Sequence, residues 1–171
     1  ELEGSVTITK KLVWGANATF SQNEILKYND VFYDYGVNWD EFNVQETTLE
    51  NTDISFSPNL IVSSMLEFTP LKRFTIGLNS KYVGEQFLDN TADNSRAIEA
   101  YFVNDLNLGY TFSTKLIKEI GIRLLVNNLL NEEYESNGYT FGYGGGGNVI
   151  RENYYYPQAG ANFLLALNLK F

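Results

Sequence analysis

Over long stretches of this chain every second residue is apolar, and that period of two decides most of what it can become. From Val6 the even positions hold Val6, Ile8, Leu12, Trp14, Ala16, Ala18 and Phe20, while the odd positions hold Ser5, Thr7, Thr9, Lys11, Asn17 and Thr19. The pattern returns over 54–68, where Ile54, Phe56, Pro58, Leu60, Val62, Leu66 and Phe68 share one parity. It continues over 74–82, 102–112, 120–130 and 163–171. Successive side chains of an extended strand point to opposite faces, so each stretch predicts a strand with one oily and one polar face. Counting the first stretch as two strands around a polar turn at 9–11 gives seven. One segment is ambiguous. Leu116, Ile117, Ile120 and Leu124 also fit a helical stripe, although Gly121 and the Asn127-Asn128 pair weaken a helix there.

The connections differ in length, and the difference alternates. Short ones fall at 9–11, 69–72 and 113–118, and long ones at 23–47, 88–99 and 136–153. In an antiparallel meander this places every short turn at one end of the sheet and every long loop at the other. Outer-membrane barrels have that asymmetry. Phe68, Phe74, Phe112 and Phe171 mark one level near the short turns, and Pro58, Tyr82, Phe102 and Phe163 lie about ten residues along. A membrane-crossing strand needs ~9–11 residues, so the two levels predict aromatic girdles bracketing an apolar band. A soluble β-sandwich also buries alternate residues, but it explains neither the loop asymmetry nor the uncharged outward faces. An odd number of strands cannot close an antiparallel barrel, and unpaired edge groups in lipid cost several kcal/mol each. The expected architecture is therefore all-β: an antiparallel transmembrane barrel, of which residues 1–171 form a partial wall.

Composition narrows the chemistry. Tyr and Phe number 12 each and Cys and His are both absent. No disulfide, no Cys/His zinc site, no His general base and no Ser-His or Cys-His nucleophile is possible within this chain, so an enzyme is not expected. The net charge of −9 argues against nucleic acid, whose phosphates require a basic face. The longest apolar runs are too short for a transmembrane helix. A mean hydropathy of −0.22 is compatible with a barrel, because alternation averages it out. Glu1-Leu2-Glu3 does not read as a signal peptide, which suggests an internal or processed start.

The segments VNNLLNEEYESNG (126–138), YVGEQFLDNT (82–91), FVNDLNLGYTF (102–112), ENYYYPQAGANFLLALNLKF (152–171) and NTDISFSPNLIVSS (51–64) resemble the closing strands of TonB-dependent outer-membrane receptors, particularly those of Bacteroidota. The resemblance implies a barrel of about 22 strands with an N-terminal plug, of which these would be the seven C-terminal strands, with the plug, the TonB box and the earlier strands absent here. It implies residence in the Gram-negative outer membrane. It also implies energised uptake of a scarce solute, with siderophore-bound iron or a similar chelate first and a glycan or peptide second. The partners would be outer-membrane lipid, the missing N-terminal barrel and plug, TonB acting through the plug, the barrel assembly machinery and a possible surface lipoprotein. No cofactor is expected. A non-transporting barrel, such as an adhesin or porin-like protein, is the alternative. The terminal Phe163, Leu165, Leu167, Leu169 and Phe171 resemble the β-signal read during barrel assembly.

The long loops carry the candidate recognition residues: Tyr33, Tyr35 and Trp39 in the first, and Tyr139, Tyr143, Arg151, Tyr154 and Tyr155 in or beside the third. Aromatic rings stack on sugars or catecholates and Arg pairs with an anionic chelate. The alternative is that these rings pack loop against loop or sit in an interfacial belt. Asp89, Asp93 and Asn94 offer oxygens that a Ca²⁺ ion could use, but without EF-hand spacing, so a solvated loop is expected. Gly144-Gly145-Gly146-Gly147 lacks the Lys-Ser/Thr of a phosphate loop and predicts flexibility. The run Glu132, Glu133, Glu135 predicts a solvated strand end.

Overall fold

A computed structural model describes residues 1–171. It contains thirteen strands and no α-helix: β1 (Leu2–Thr9), β2 (Leu12–Phe20), β3 (Glu24–Asp34), β4 (Asn43–Asp53), β5 (Leu60–Leu71), β6 (Phe74–Val83), β7 (Gln86–Phe87), β8 (Ala97–Ile98), β9 (Tyr101–Phe112), β10 (Glu119–Asn127), β11 (Glu135–Gly145), β12 (Asn148–Pro157) and β13 (Asn162–Lys170). One 3-10 turn spans Asn94–Arg96.

Seven of these strands form one sheet in the order β1-β2-β5-β6-β9-β10-β13, with every neighbour pair antiparallel. They correspond to the seven strands read from the period of two. The register lines up the oily residues. Leu12 faces Phe68, Phe68 faces Ile76, Ile76 faces Leu108, Leu108 faces Leu124, and Leu124 faces Leu165. The opposite face carries Glu67, Asn107, Arg123 and Asn168 among four glycines, Gly15, Gly77, Gly109 and Gly121. The segment at 116–124 resolves as a turn followed by β10, because Gly121 and Ile122 take their places in the ladders with β9 and β13.

Nothing in the chain covers the oily face. Trp14, Phe102, Tyr110, Phe163, Leu165, Leu167 and Phe171 are all exposed. Only 12 of 171 residues are buried, which excludes a two-sheet sandwich with its core between the layers. The aromatic levels hold in part. Phe74 and Tyr110 meet edge-on at 6.4 Å near the short turns, and Tyr82 pairs with Phe102 at the far end. Pro58 does not belong to its level, because β5 begins at Leu60 and residues 54–59 form an irregular link with Phe56 at a positive φ of 54°.

The long connections differ from expectation. The stretches read as loops at 23–47 and 136–153 are hairpins, β3/β4 and β11/β12, which prolong the wall beyond the sheet. Their polar and aromatic residues hid the alternation, because each hairpin faces solvent on one side and other loops on the other. The two hairpins join into a second sheet in the order β12-β11-β3-β4. The connection at 84–100, built on the small pair β7/β8, lies beneath it. The buried apolar residues Val83, Leu88 and Ile98 gather here, so the chain's only interior belongs to its long-connection end.

Candidate functional site

The hairpin assembly is held by backbone contacts first. Tyr143 and Gly144 of β11 run parallel to Tyr33 and Asp34 of β3. The Tyr35 amide donates to the Gly144 carbonyl at 2.8 Å and the Gly146 amide to the Gly36 carbonyl at 3.0 Å. Gly146 and Gly147 both have positive φ, 61° and 77°, as a tight two-residue hairpin turn requires. The four glycines are therefore a defined turn and a landing surface, where the sequence predicts flexibility. A Cβ on Gly145 would overlap the Trp39 ring, and one on Gly144 would crowd the Asp34 carboxyl. Trp39 lies 6.0 Å from Tyr143 and 6.5 Å from Tyr35 between ring centroids. Tyr33 stacks on Phe42 at 5.6 Å. Four of the eight candidate residues, Tyr33, Tyr35, Trp39 and Tyr143, thus meet at the hairpin tips, packing loop against loop. Beside them lies a cleft of about 310 Å³ lined by Phe32, Asp34, Glu41, Gln45, Asn148 and Val149, among others.

Strand alternation divides the remaining candidates. Tyr154 stands opposite Tyr139 in the β11/β12 ladder, whereas Tyr155 stands opposite Gly138 and Arg151 opposite Gly142. Tyr139 and Tyr154 share the outer face, with centroids 5.0 Å apart. Phe141 and Tyr156 complete that face. The rings of Tyr139, Phe141, Tyr143 and Tyr154 are near-parallel, within about 3° to 13°. Tyr154 donates to Glu152 at 2.8 Å. That bond, made where the carboxylate prefers the protonated phenol, holds its pKa above the ordinary tyrosine value.

The reverse face is engaged internally. The Tyr155 hydroxyl donates to the Ala97 carbonyl at 3.1 Å and the Asn153 amide to the Ser95 carbonyl at 2.7 Å. Arg151 pairs with Asp30 at 3.5 Å and lies over the Phe32 ring at 5.3 Å. Arg151 and Tyr155 therefore tie one hairpin to the other and to the loop below. The structure does not bring them to the aromatic face of Tyr139 and Tyr154.

Sequence reasoning missed the centre of the lower loop. Arg96 is 6 % exposed and forms ion pairs with Asp89 and, at 2.8 Å, with Asp93. Asp93 also caps the 3-10 turn by accepting from the Ser95 amide at 2.9 Å and its hydroxyl at 2.7 Å. The Ser95 bonds chiefly, then Arg96, lower the Asp93 pKa to about 2. Asp89 and Asp93 are thus committed to a guanidinium. The available signal was two aspartates four residues apart, followed three residues later by Arg96, the one basic residue of that loop. Phe141 and Tyr156 were legible too, being two residues from Tyr139 and Tyr154 on the same parity.

The NNLLN segment also finds a physical role. Asn128 is 5 % exposed and adopts a φ of 50°, a conformation that Asn tolerates better than most residues. Its side chain donates to the Glu132 and Ala159 carbonyls and accepts from the Glu132 amide at 2.9 Å. Asn131, at φ 55°, accepts from the Ala161 amide. The two asparagines turn the chain out of β10 and tie it to the start of β13. The terminal Phe163, Leu165, Leu167, Leu169 and Phe171 lie exposed on the oily face of β13 or just beyond it, and β13 has no neighbour on its outer side.

A protein-family model described as "TonB dependent receptor-like, beta-barrel" matches residues 1–129. Solved structures share the fold. The siderophore receptor PiuA from Acinetobacter baumannii aligns at TM-score 0.60 and 15% identity, over 98% of this chain and 20% of its own. The ferric citrate transporter FecA aligns at TM-score 0.57 and 17% identity, over 94% and 21%. The ferric-catecholate import receptor Fiu from E. coli K12, in an open form, aligns at TM-score 0.52 and 15% identity, over 92% and 20%. This chain spans about a fifth of the length of these three structures. No curated protein matches it significantly.

Proposed function

Because the chain belongs to the TonB-dependent receptor β-barrel family, a family of outer-membrane receptors and transporters rather than enzymes, we propose that it forms the C-terminal arc of such a receptor, with the plug and earlier strands contributed by sequence beyond it. The observation that carries this reading is the seven-stranded sheet with one uncovered oily face and two unpaired edges, β1 and β13. A strand edge in lipid must be paired. Further strands of the same barrel meet that need at both edges.

In this reading the hairpins face the exterior and capture a scarce solute, a chelate of iron or a similar compound. The surface offered is the aromatic face of Tyr139, Phe141, Tyr154 and Tyr156 together with the tip cluster of Tyr33, Tyr35, Trp39 and Tyr143. The capping assembly carries sixteen of the chain's acidic residues and three basic ones, Lys27, Arg96 and Arg151. Arg96 and Arg151 are already paired. That balance favours a neutral or cationic complex over a polyanionic one. Energy transmitted by TonB through the plug would release the solute inward, and a surface lipoprotein could dock on the cap. The Phe163–Phe171 stripe would serve the assembly machinery. Deleting the parent gene and measuring growth on single iron chelates tests the reading. Loss of growth on at least one chelate, restored by the gene, supports it. Unchanged growth on every chelate, glycan and peptide tried would favour a non-transporting barrel.

A further inference from the structure

The three short turns carry a charge pattern that the transport reading does not use. Lys10 and Lys11 form the first, Lys72 and Arg73 the second, and Lys115 and Lys118 lie in the third, which spans 113–118. No acidic residue occurs in these turns, and together they hold half of the chain's 12 basic residues. All six side chains are exposed. None forms an ion pair, since every ion pair in the molecule involves Arg96 or Arg151.

Their other contacts stitch the rim together. Lys11 Nζ donates to the Pro70 carbonyl at 2.6 Å, and Lys118 Nζ to the Phe171 carbonyl at 2.9 Å. Arg73 donates to the Ser113 hydroxyl at 3.4 Å. Each pair also borders the oily face. Lys11 precedes Leu12, Lys72 follows Leu71, and Lys115 precedes Leu116, which is 90 % exposed. The opposite end of the molecule is strongly acidic. The two ends therefore present opposite charge to whatever lies at the two surfaces of the membrane.

We propose that the short-turn rim binds anionic phospholipid headgroups of the adjacent leaflet. Charge complementarity and continuity with the lipid-facing band favour that occupant. Long basic side chains at the edge of an apolar band lay their stems on hydrocarbon and reach the headgroups with their tips. Two cations per turn, none of them in an ion pair with a side chain of this chain, leave a local positive potential that a zwitterionic headgroup does not neutralise. The inference rests on the membrane-barrel reading above, and its test separates the two.

Trp14 reports on the lipid beside the first turn, since it lies on the oily face three residues from Lys11 and is 43 % exposed. The full parent receptor is reconstituted in mixtures of phosphatidylcholine and phosphatidylglycerol, with one or the other brominated on its acyl chains. The Trp14 signal is taken as the difference from Trp14→Phe. Brominated phosphatidylglycerol is expected to quench as though enriched about fivefold at the site, the gain from roughly one engaged cation. The enrichment should shrink in high salt and vanish in the variant K10Q/K11Q/K72Q/R73Q/K115Q/K118Q. Equal quenching by the two lipids in the unmodified receptor would overturn the proposal and point to a protein or polysaccharide partner for the rim. Preference retained in the six-site variant would overturn it as well. If neither lipid quenches Trp14, the membrane-barrel reading itself fails.

Discussion

Trp39, at the tip of one hairpin, lies against the backbone of Gly145 beside the turn of the other, where a Cβ has no room. Gly145→Val therefore has to push the indole off its seat. Overpacking of this kind costs about 1–3 kcal/mol. The variant is expected to raise hydrogen exchange at the Tyr35 and Gly146 amides, whose bonds to Gly144 and Gly36 join the tips, while leaving β6 and β9 protected. Unchanged exchange at the tips would show that the contact holds nothing in place.

The Arg96 cluster gives the lower loop an acid limit. The Asp93 pKa of about 2 lies below the ordinary 3.8, so its stabilising contribution is complete above the ordinary value and is lost as pH falls through about 2. Pepsin cleavage at the Phe87–Leu88 bond should be slow near pH 4 and accelerate steadily toward pH 2. Arg96→Gln should bring rapid cleavage already at pH 4, because Asp89 and Asp93 lose their shared cation.

Asn128 combines a left-handed backbone with three side-chain hydrogen bonds. Asn128→Ala should destabilise the turn by about 2–4 kcal/mol, combining unsatisfied backbone groups with αL strain. Asn128→Gly keeps the backbone and loses only the bonds, so it should cost less. Local hydrogen exchange over residues 128–135 measures both. Equal effects would mean that backbone conformation contributes little.

The two faces of the β11/β12 hairpin predict separable phenotypes. Removing rings from the outer face, by Tyr139→Ala with Tyr154→Ala, should lower solute affinity by about tenfold, as loss of one to two aromatic contacts implies, with tip exchange unchanged. Arg151→Gln should do the reverse. It frees the hairpins from each other by removing the Asp30 and Phe32 contacts, and raises exchange along β3 and β11. Affinity lost in Arg151→Gln without any loosening would return that residue to a direct role with ligand.

The wall was legible in the sequence because one physical force set it. Lipid on one side and a polar interior on the other impose the same alternation on every strand, from Leu12 in β2 through Leu165 in β13. The hairpins were not legible as strands. Asp30, Glu46 and Arg151 sit on strands whose two faces meet solvent and neighbouring loops, so neither face had to be oily. The glycines at 144–147 misled for a related reason. Gly146 and Gly147 supply positive φ and Gly145 supplies clearance for Trp39, and composition cannot distinguish those uses from slack. Arg151 was placed correctly in the third connection, but its partner Asp30 lies 121 residues earlier, and only the parallel meeting of β3 and β11 brings them together.

The uncovered face of the seven-stranded sheet lies in lipid, and site-directed spin labels can read this residue by residue. The chain has no cysteine, so its own residues leave no background for spin labels placed one at a time along β6 and β9 of the parent receptor. Collision rates with oxygen and with a water-soluble nickel chelate then read each side chain's surroundings. Strict alternation is expected: Ile76, Leu78, Leu106 and Leu108 accessible to oxygen and shielded from nickel, and Thr75, Gly77, Asn107 and Gly109 shielded from lipid-borne oxygen. Nickel access at the even positions, or no alternation at all, would contradict it.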